Sequence, residues 1–313
     1  KYVNMIHILG AGSMGCLWAA HLSHSNTVCF IARNQAHHSS KQFTLHKPHT
    51  QVTAAYKIPT LSIEDTSTQD ASTSDSIGTI HTLLVCTKSY DALSALTQLK
   101  NKLSEHTMIV LFQNGLGSQY DIIEAFPNNP IFAAVSTEGV NRKSDSEIIH
   151  AGVGETQLGT LNISKHKLLD TCHQQLATSG LIVHKYPDIW QALWTKLVIN
   201  CAINPFTALL NRPNGKVRQH DYFKQHWPSL KQELSSLLSI AKYPANEEEI
   251  EQLVFDVMDK TQDNISSMLQ DIRKQKPTEI DHINGFAYRF LKQHSKHYQT
   301  NKLLWESVNA LRN

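Results

Sequence analysis

No aspartate or glutamate precedes Glu64 in this chain of 313 residues. Its first strands and turns therefore carry no carboxylate to repel a bound anion. Apolar residues do not run far enough to cross a bilayer, so we expect no membrane span. Cysteine is scarce: Cys16, Cys29, Cys86, Cys172 and Cys201 make an odd set with no CxxC pair. That pattern excludes a disulfide framework and fits reduced thiols in a cytoplasmic protein. Charged residues are only 18% of the chain, and the net charge is +2. This excludes binding to nucleic acid or to anionic membranes by bulk charge. Histidine is abundant, but HExxH and Cys/His finger spacings are missing, so no metal site is expected. No repeat of solenoid period occurs. What remains is a soluble protein of 41% hydrophobic residues, long enough for two domains. A small molecule is its expected partner, and the chain is expected to be a monomer or homodimer.

Met5–Leu9 is a short apolar run of the kind a buried parallel strand needs. It leads directly into Gly10, Ala11, Gly12, Ser13, Met14 and Gly15, then a helix-like stretch, then a second apolar run, Val28–Ala32. This is GxGxxG in the strand–turn–helix–strand setting of a dinucleotide-binding unit. Gly10 permits the tight turn, Gly12 lets backbone approach a pyrophosphate, and Gly15 lets the helix pack on the strand. The N–H groups at the helix start meet the phosphates.

The end of the second strand selects the cofactor. An NAD-binding unit places an acid there for the ribose 2′-hydroxyl. This chain has Ala32-Arg33-Asn34 instead. Arg33 is placed to pair with a 2′-phosphate, so we expect NADP(H). Three further strands are expected at Thr82–Thr87, Met108–Phe112 and Ile131–Val135. Lys88 and Asn114 lie just past strand carboxyl ends, where ligands bind in open α/β sheets. Each also reads as an ordinary residue, a surface charge and a turn asparagine. The segment from Asp65 to Ser76 is polar and biased, and reads as an exposed loop.

From Ile189 onward helical periodicity dominates: Ile189–Asn204, Trp227–Ala241, Glu247–Lys260, Asn264–Lys274 and Ile280–His294. The change sets a boundary near Pro187-Asp188. The expected organisation is an α/β Rossmann-type dinucleotide-binding domain over 1–187 and an all-helical domain over 188–313. The active site is expected in the interdomain cleft. On the first of these helices, Lys196, Asn200 and Asn204 follow at i, i+4 and i+8. They drift only about 80° around the axis and form one stripe. That stripe either faces water or holds a polar ligand with a carbonyl and a carboxylate. Asn264 and Ser267 lie one turn apart. Glu279 sits at a helix start, where the dipole alone would favour an acid.

These residues together resemble one family, over nearly the whole length. The carriers are Gly10–Gly15, the strand end at Lys88, Gln113-Asn114-Gly115-Leu116-Gly117, Leu193–Pro205, Asn211–Gly215, Asn264–Asp271 and Thr278–Gly285. The chain is similar to the ketopantoate reductases, also called 2-dehydropantoate 2-reductases. The resemblance implies an NADP-dependent oxidoreductase acting on a CH–OH group. It would reduce ketopantoate to (R)-pantoate in pantothenate, and so coenzyme A, biosynthesis. It implies that Lys196 donates the proton, and that Asn200, Asn204, Asn214 and Ser267 contact the substrate. Arg33, Lys88 and Asn114 would hold the cofactor, with the backbone of Val140 near it and Glu279 by the ribose and substrate. One departure is Asp91, where relatives carry glutamine, which puts an acid near Lys88. Two other readings stay open: a reductase of another branched 2-oxo acid, and a redox-sensing NADP-binding module without turnover.

Overall fold

The computed structural model describes residues 5–32, 39–48, 50, 52–63, 80–162 and 168–311. Arg33 and the Asp65–Ser76 loop lie outside the described residues. The chain forms two compact units. One comprises Lys1–Gln113 and Ser118–Ile189, the other Asn114–Gly117 and Trp190–Asn313.

The first unit is built on one sheet. Its strands are β1 (Met5–Leu9), β2 (Thr27–Ala32), β3 (Ser39–His46), β4 (Thr53–Ser62), β5 (Ile80–Val85) and β6 (Leu103–Leu111). They continue as β7 (Ile131–Ser136), β8 (Gly139–Ser144), β9 (Glu147–Gly152), β10 (Thr156–Thr160) and β11 (Val183–Lys185). The order across the sheet is β11-β10-β7-β6-β5-β1-β2-β4-β3-β9-β8. Strand β1 pairs in parallel with β2 on one side and β5 on the other, with Leu9 opposite Ile31 and Val85. Chain order reverses there, which makes the carboxyl end of β1 the switch point of an open α/β sheet. The described helices that accompany the sheet are α1 (Ser13–Leu22), α2 (Ser89–Gln98), α3 (Ser118–Ala125) and α4 (Leu169–Ala177).

The apolar runs of the sequence are the central strands. In β1 all but the first residue are buried, and β7 is buried throughout. Helix α1 packs on β1 and β2, and also on β8 and β9. Its Leu17, Trp18 and Leu22 share a core with Phe30, Leu45 and Ile148. Strands β3, β4, β8, β9, β10 and β11 were not expected. Strand β4 alternates between exposed and partly buried positions over its first half. A strand buried on only one face shows a weaker apolar run.

The second unit is helical: α5 (Ile189–Leu210), α6 (Asp221–Ile240), α7 (Glu247–Lys260), α8 (Ser267–Arg273), α9 (Asn284–Gln293) and α10 (Thr300–Ala310). Two expectations need correction here. Helix α5 does not stop before Pro205 but runs through it to Leu210. It thereby reaches the length and apolarity of a membrane span, although 67% of its most apolar window is buried inside the protein. It is the core helix of this unit, with Trp194, Leu197, Val198, Cys201, Ala202 and Phe206 buried. The proline is tolerated because the carbonyl it strands, that of Cys201, accepts from Asn284 Nδ2 at 3.1 Å. The expected single helix Ile280–His294 is also divided, into a 3₁₀ turn at Ile280–His282 and α9. Helix α10 was missed. Glu233 of α6 receives its first N–H groups, from Thr300 at 2.5 Å and Asn301 at 2.9 Å. A local capping residue was the signal sought, and here the cap comes from another helix.

Candidate active site

In the first unit, the glycine turn is set by sterics. Gly10 has φ +102°, and a Cβ there would stand 2.9 Å from the backbone nitrogen of Thr87. A Cβ on Gly15 would fall 2.1 Å from the carbonyl oxygen of Gly10. Helix α1 therefore sits directly on the turn, closer than any side chain allows. Gly12 differs: among the described residues a Cβ on it would meet nothing within 4 Å. It is the N-cap of α1, and among the described residues no side chain caps that helix end. Open space lies in front of N–H groups that need acceptors, with Ala11, Ser13 and Met14 partly buried beside it. These features fit the pyrophosphate of a dinucleotide.

Lys88 caps α2 in an extended conformation, next to the Thr87 that abuts Gly10. It is partly buried. Asp91 lies in the first turn of the same helix, its N–H donating to the Lys88 carbonyl at 3.0 Å. Val140, in β8, packs on the same core as Ala11 and Met14. Sequence reasoning gave no role to Gln113. Its Nε2 donates to the carbonyls of Val85 and Thr87, at 2.9 and 3.0 Å, and so fixes the segment leading to Lys88. A polar residue closing the apolar β6 was the available signal.

In the second unit, Lys196 and Glu279 come together. Lys196 is partly buried on α5. Burial pushes its ammonium down from 10.5 to about 8, against the opposing pull of the Glu279 carboxylate. Glu279 is only 5% exposed, so it is not a surface acid serving a helix dipole. Its Oε2 accepts from Asn114 Nδ2 at 3.3 Å. The turn Asn114–Gly117 belongs to this unit because it is bonded into it. Leu116 N–H donates to the His282 carbonyl at 2.8 Å. Gly115, at φ +75°, lies so close that a Cβ would stand 2.2 Å from the same oxygen. Asn114 was grouped with Lys88 in the sequence, and the structure places its amide on Glu279.

Asn200 is partly buried and Asn204 is buried, one and two turns beyond Lys196. Trp194 holds this helix to α9 through Phe286 and Phe290, at ring distances of 5.7 and 5.0 Å. Asn214 is buried, and its Nδ2 donates to Thr261 Oγ1 at 2.9 Å. Its Oδ1 is buried without a partner among the described residues. Its N–H donates to the Asn264 carbonyl at 3.0 Å. Ser267 is exposed at the start of α8. The residue before it, Ser266, is the N-cap, accepting from Leu269 N–H at 3.1 Å. Ser266 Oγ also shares a 2.6 Å bond with Thr207 Oγ1, which donates to the Asn204 carbonyl at 2.7 Å. This link between α8 and α5 was missed, although a serine pair before an apolar run is a capping signal.

An amine of pKa about 8 is mostly protonated at neutral pH, yet gives up its proton more readily than an ordinary lysine. The amide groups along α5 and at Asn214 are neutral donors and acceptors. Together they suit a carbonyl substrate that becomes an alcohol.

Residues 6–162 match the family model described as ketopantoate reductase PanE/ApbA, and residues 188–312 match that of its C-terminal part. The chain is 36% identical to the 2-dehydropantoate 2-reductase of Yersinia pestis over 230 residues, 72% of each chain. It is 29% identical to that of Vibrio cholerae serotype O1 over 311 residues, 98% of this chain and 97% of the relative. Among solved structures, a ternary complex of D-mandelate dehydrogenase with NADH and anilino(oxo)acetate has a TM-score of 0.83 at 21% identity, covering 98% of both chains. That likeness is one of fold. The two family matches take in both the glycine turn and the Lys196 helix, and the chain belongs to the ketopantoate reductase PanE/ApbA family.

Proposed function

We propose that this chain is an NADPH-dependent 2-dehydropantoate 2-reductase. The observation that carries the proposal is Lys196, lowered to about 8 by burial and set against the buried Glu279. A nicotinamide held by this chain would supply hydride to the ketone carbon. Negative charge then builds on the ketone oxygen, and Lys196 Nζ–H both stabilises it and delivers the proton that completes the alcohol. Glu279 orients the lysine and keeps part of its positive charge. Asn200, Asn204, Asn214 and Ser267 hold the polar groups of the substrate. The glycine turn Gly10–Gly15 would hold the pyrophosphate, with Lys88, Asn114 and Val140 as further cofactor contacts. Arg33, outside the described residues, would pair with the 2′-phosphate that distinguishes NADPH from NADH.

The test is NADPH oxidation on adding ketopantoate, followed by absorbance. Turnover with ketopantoate well above that with other branched 2-oxo acids supports the reading. A second reading is favoured by the fold likeness to D-mandelate dehydrogenase: the substrate is a 2-oxo acid bearing an aryl group. Higher kcat/KM for an aryl 2-oxo acid would replace the first reading with the second, and higher kcat/KM with NADH than with NADPH would overturn the NADPH assignment. Cofactor binding without oxidation in any of these mixtures would leave a sensing module.

A further inference from the structure

Helix α5 contains Pro205, which has no N–H to offer and whose ring crowds the carbonyl four residues back. That carbonyl belongs to Cys201, a residue with no exposed surface. Water does not replace the lost donor at such a site, and a buried carbonyl without a partner is costly. Asn284, also fully buried, fills the gap, its Nδ2 donating to Cys201 O at 3.1 Å. Its second amide hydrogen goes to Asn301 Oδ1 at 2.9 Å. Asn301 is turned that way because its own Nδ2 donates to Glu233 Oε2 at 2.7 Å, and its backbone N–H to the same oxygen at 2.9 Å. A carboxylate only accepts, so it fixes the Asn301 amide. The oxygen thus presented fixes the amide of Asn284. All three side chains are at most 2% exposed.

The ends of this chain of bonds matter. Cys201 follows Asn200 directly and lies on the helix of Lys196. Asn284 follows the 3₁₀ turn whose N-cap is Glu279. We infer that Asn284 is a positioning residue for the proposed reaction: by taking the carbonyl that Pro205 strands, it holds the helix of Lys196 in register with the turn of Glu279. The inference rests on the reductase reading for its effect on turnover. Its geometry stands without it.

A cycle of four proteins tests this: wild type, Asn284→Ala, Pro205→Ala and the double variant. Pro205→Ala restores a backbone donor for Cys201 O, so it should rescue Asn284→Ala. A displacement of about 1 Å at a reacting group costs up to ~100-fold. Asn284→Ala is expected to lower kcat by roughly 10- to 100-fold, with the affinity for NADPH kept. The double variant should recover most of that loss. The second readout needs no substrate: titration of Lys196 by NMR of ε-¹³C-labelled lysine, with its signal assigned by its absence in Lys196→Ala. Loosening the helix admits water, so the midpoint should rise from about 8 in Asn284→Ala and return in the double variant. A lower melting temperature with unchanged kcat and unchanged Lys196 titration would make Asn284 merely structural. An equal loss in the Pro205→Ala background would separate it from the Cys201 carbonyl. Either result overturns the inference. If the wild type fails to turn over ketopantoate, the reductase reading falls, and the titration still decides this one. Should Asn284→Ala not fold, Asn284→Ser, with one short donor, enters the same cycle.

Discussion

Replacing Glu279 by glutamine should move the alkaline limb of the reaction to lower pH. In the wild type, burial lowers Lys196 to about 8 and the Glu279 carboxylate opposes that fall. On the proposed mechanism the acid form of Lys196 delivers the proton, so kcat should be flat at low pH and fall through pH 8, approaching tenfold per unit above it. With a pKa of about 8, about 90% of Lys196 is protonated at pH 7 and about 10% at pH 9. Glutamine keeps the size and the capacity to hydrogen-bond but removes the charge. Removing the carboxylate that holds the Lys196 pKa up lets it fall; at ~1 pK unit, the scale of a neighbouring opposite charge, the variant's limb should centre near pH ~7. At pH 8 about half of the wild-type lysine is protonated, against roughly a tenth in the variant, a deficit of about fivefold. At pH 6 both are mostly protonated, and the charge-related deficit should nearly vanish. The assay is kcat from NADPH absorbance between pH 5.5 and 9.5, at saturating substrate and cofactor. A limb that stays put, or moves to higher pH, would refute the electrostatic coupling. A deficit equal at all pH values would mean that Glu279 acts on binding geometry alone.

Lys196→Ala should lose at least ~100-fold in kcat, the lower range of general acid catalysis, while NADPH still quenches or enhances fluorescence with wild-type affinity; near-normal turnover would remove Lys196 from the reaction. Gly12→Ala has room for its methyl group in the protein, so its melting temperature should not change, whereas its affinity for NADPH should fall if a pyrophosphate lies against that glycine. Gly15→Ala drives a Cβ onto the Gly10 carbonyl, and calorimetry should show a clear loss of stability, of the order of 1–3 kcal/mol as in other overpacked sites. Arg33→Ala should lower the ratio of kcat/KM for NADPH over NADH; an unchanged ratio would place the 2′-phosphate elsewhere.

The parts of the fold that were legible are those whose burial leaves a local mark. Strands β1, β5 and β7 and the second half of β6 are largely buried and read as apolar runs. Helix α7 was legible to both ends, with a capping box between Asn246 and Glu249. The glycine turn was legible because Gly10 and Gly15 answer contacts within the same strand–turn–helix unit or from the neighbouring strand. Less was legible where the partner is distant in sequence. Helix α10 is capped by Glu233, and α5 survives Pro205 through Asn284. Neither donor nor acceptor is close enough along the chain to leave a spacing. Asn114 looked like one more residue at a strand end, and its turn is bonded into the helical unit.

The sequence by itself determined the dinucleotide turn, the succession of a sheet domain and a helical one, and the polar stripe of Lys196, Asn200 and Asn204. Periodicity and glycine sterics are local properties, and a chain carries them wherever it folds. Tertiary structure alone decided that Lys196 is desolvated, that Glu279 is the carboxylate beside it, and that Asn114 holds that carboxylate. A pKa depends on the atoms within a few ångströms, whatever their place in the chain. Those atoms come here from α5, from the turn before α9 and from the Asn114–Gly117 loop, which only packing brings to one place.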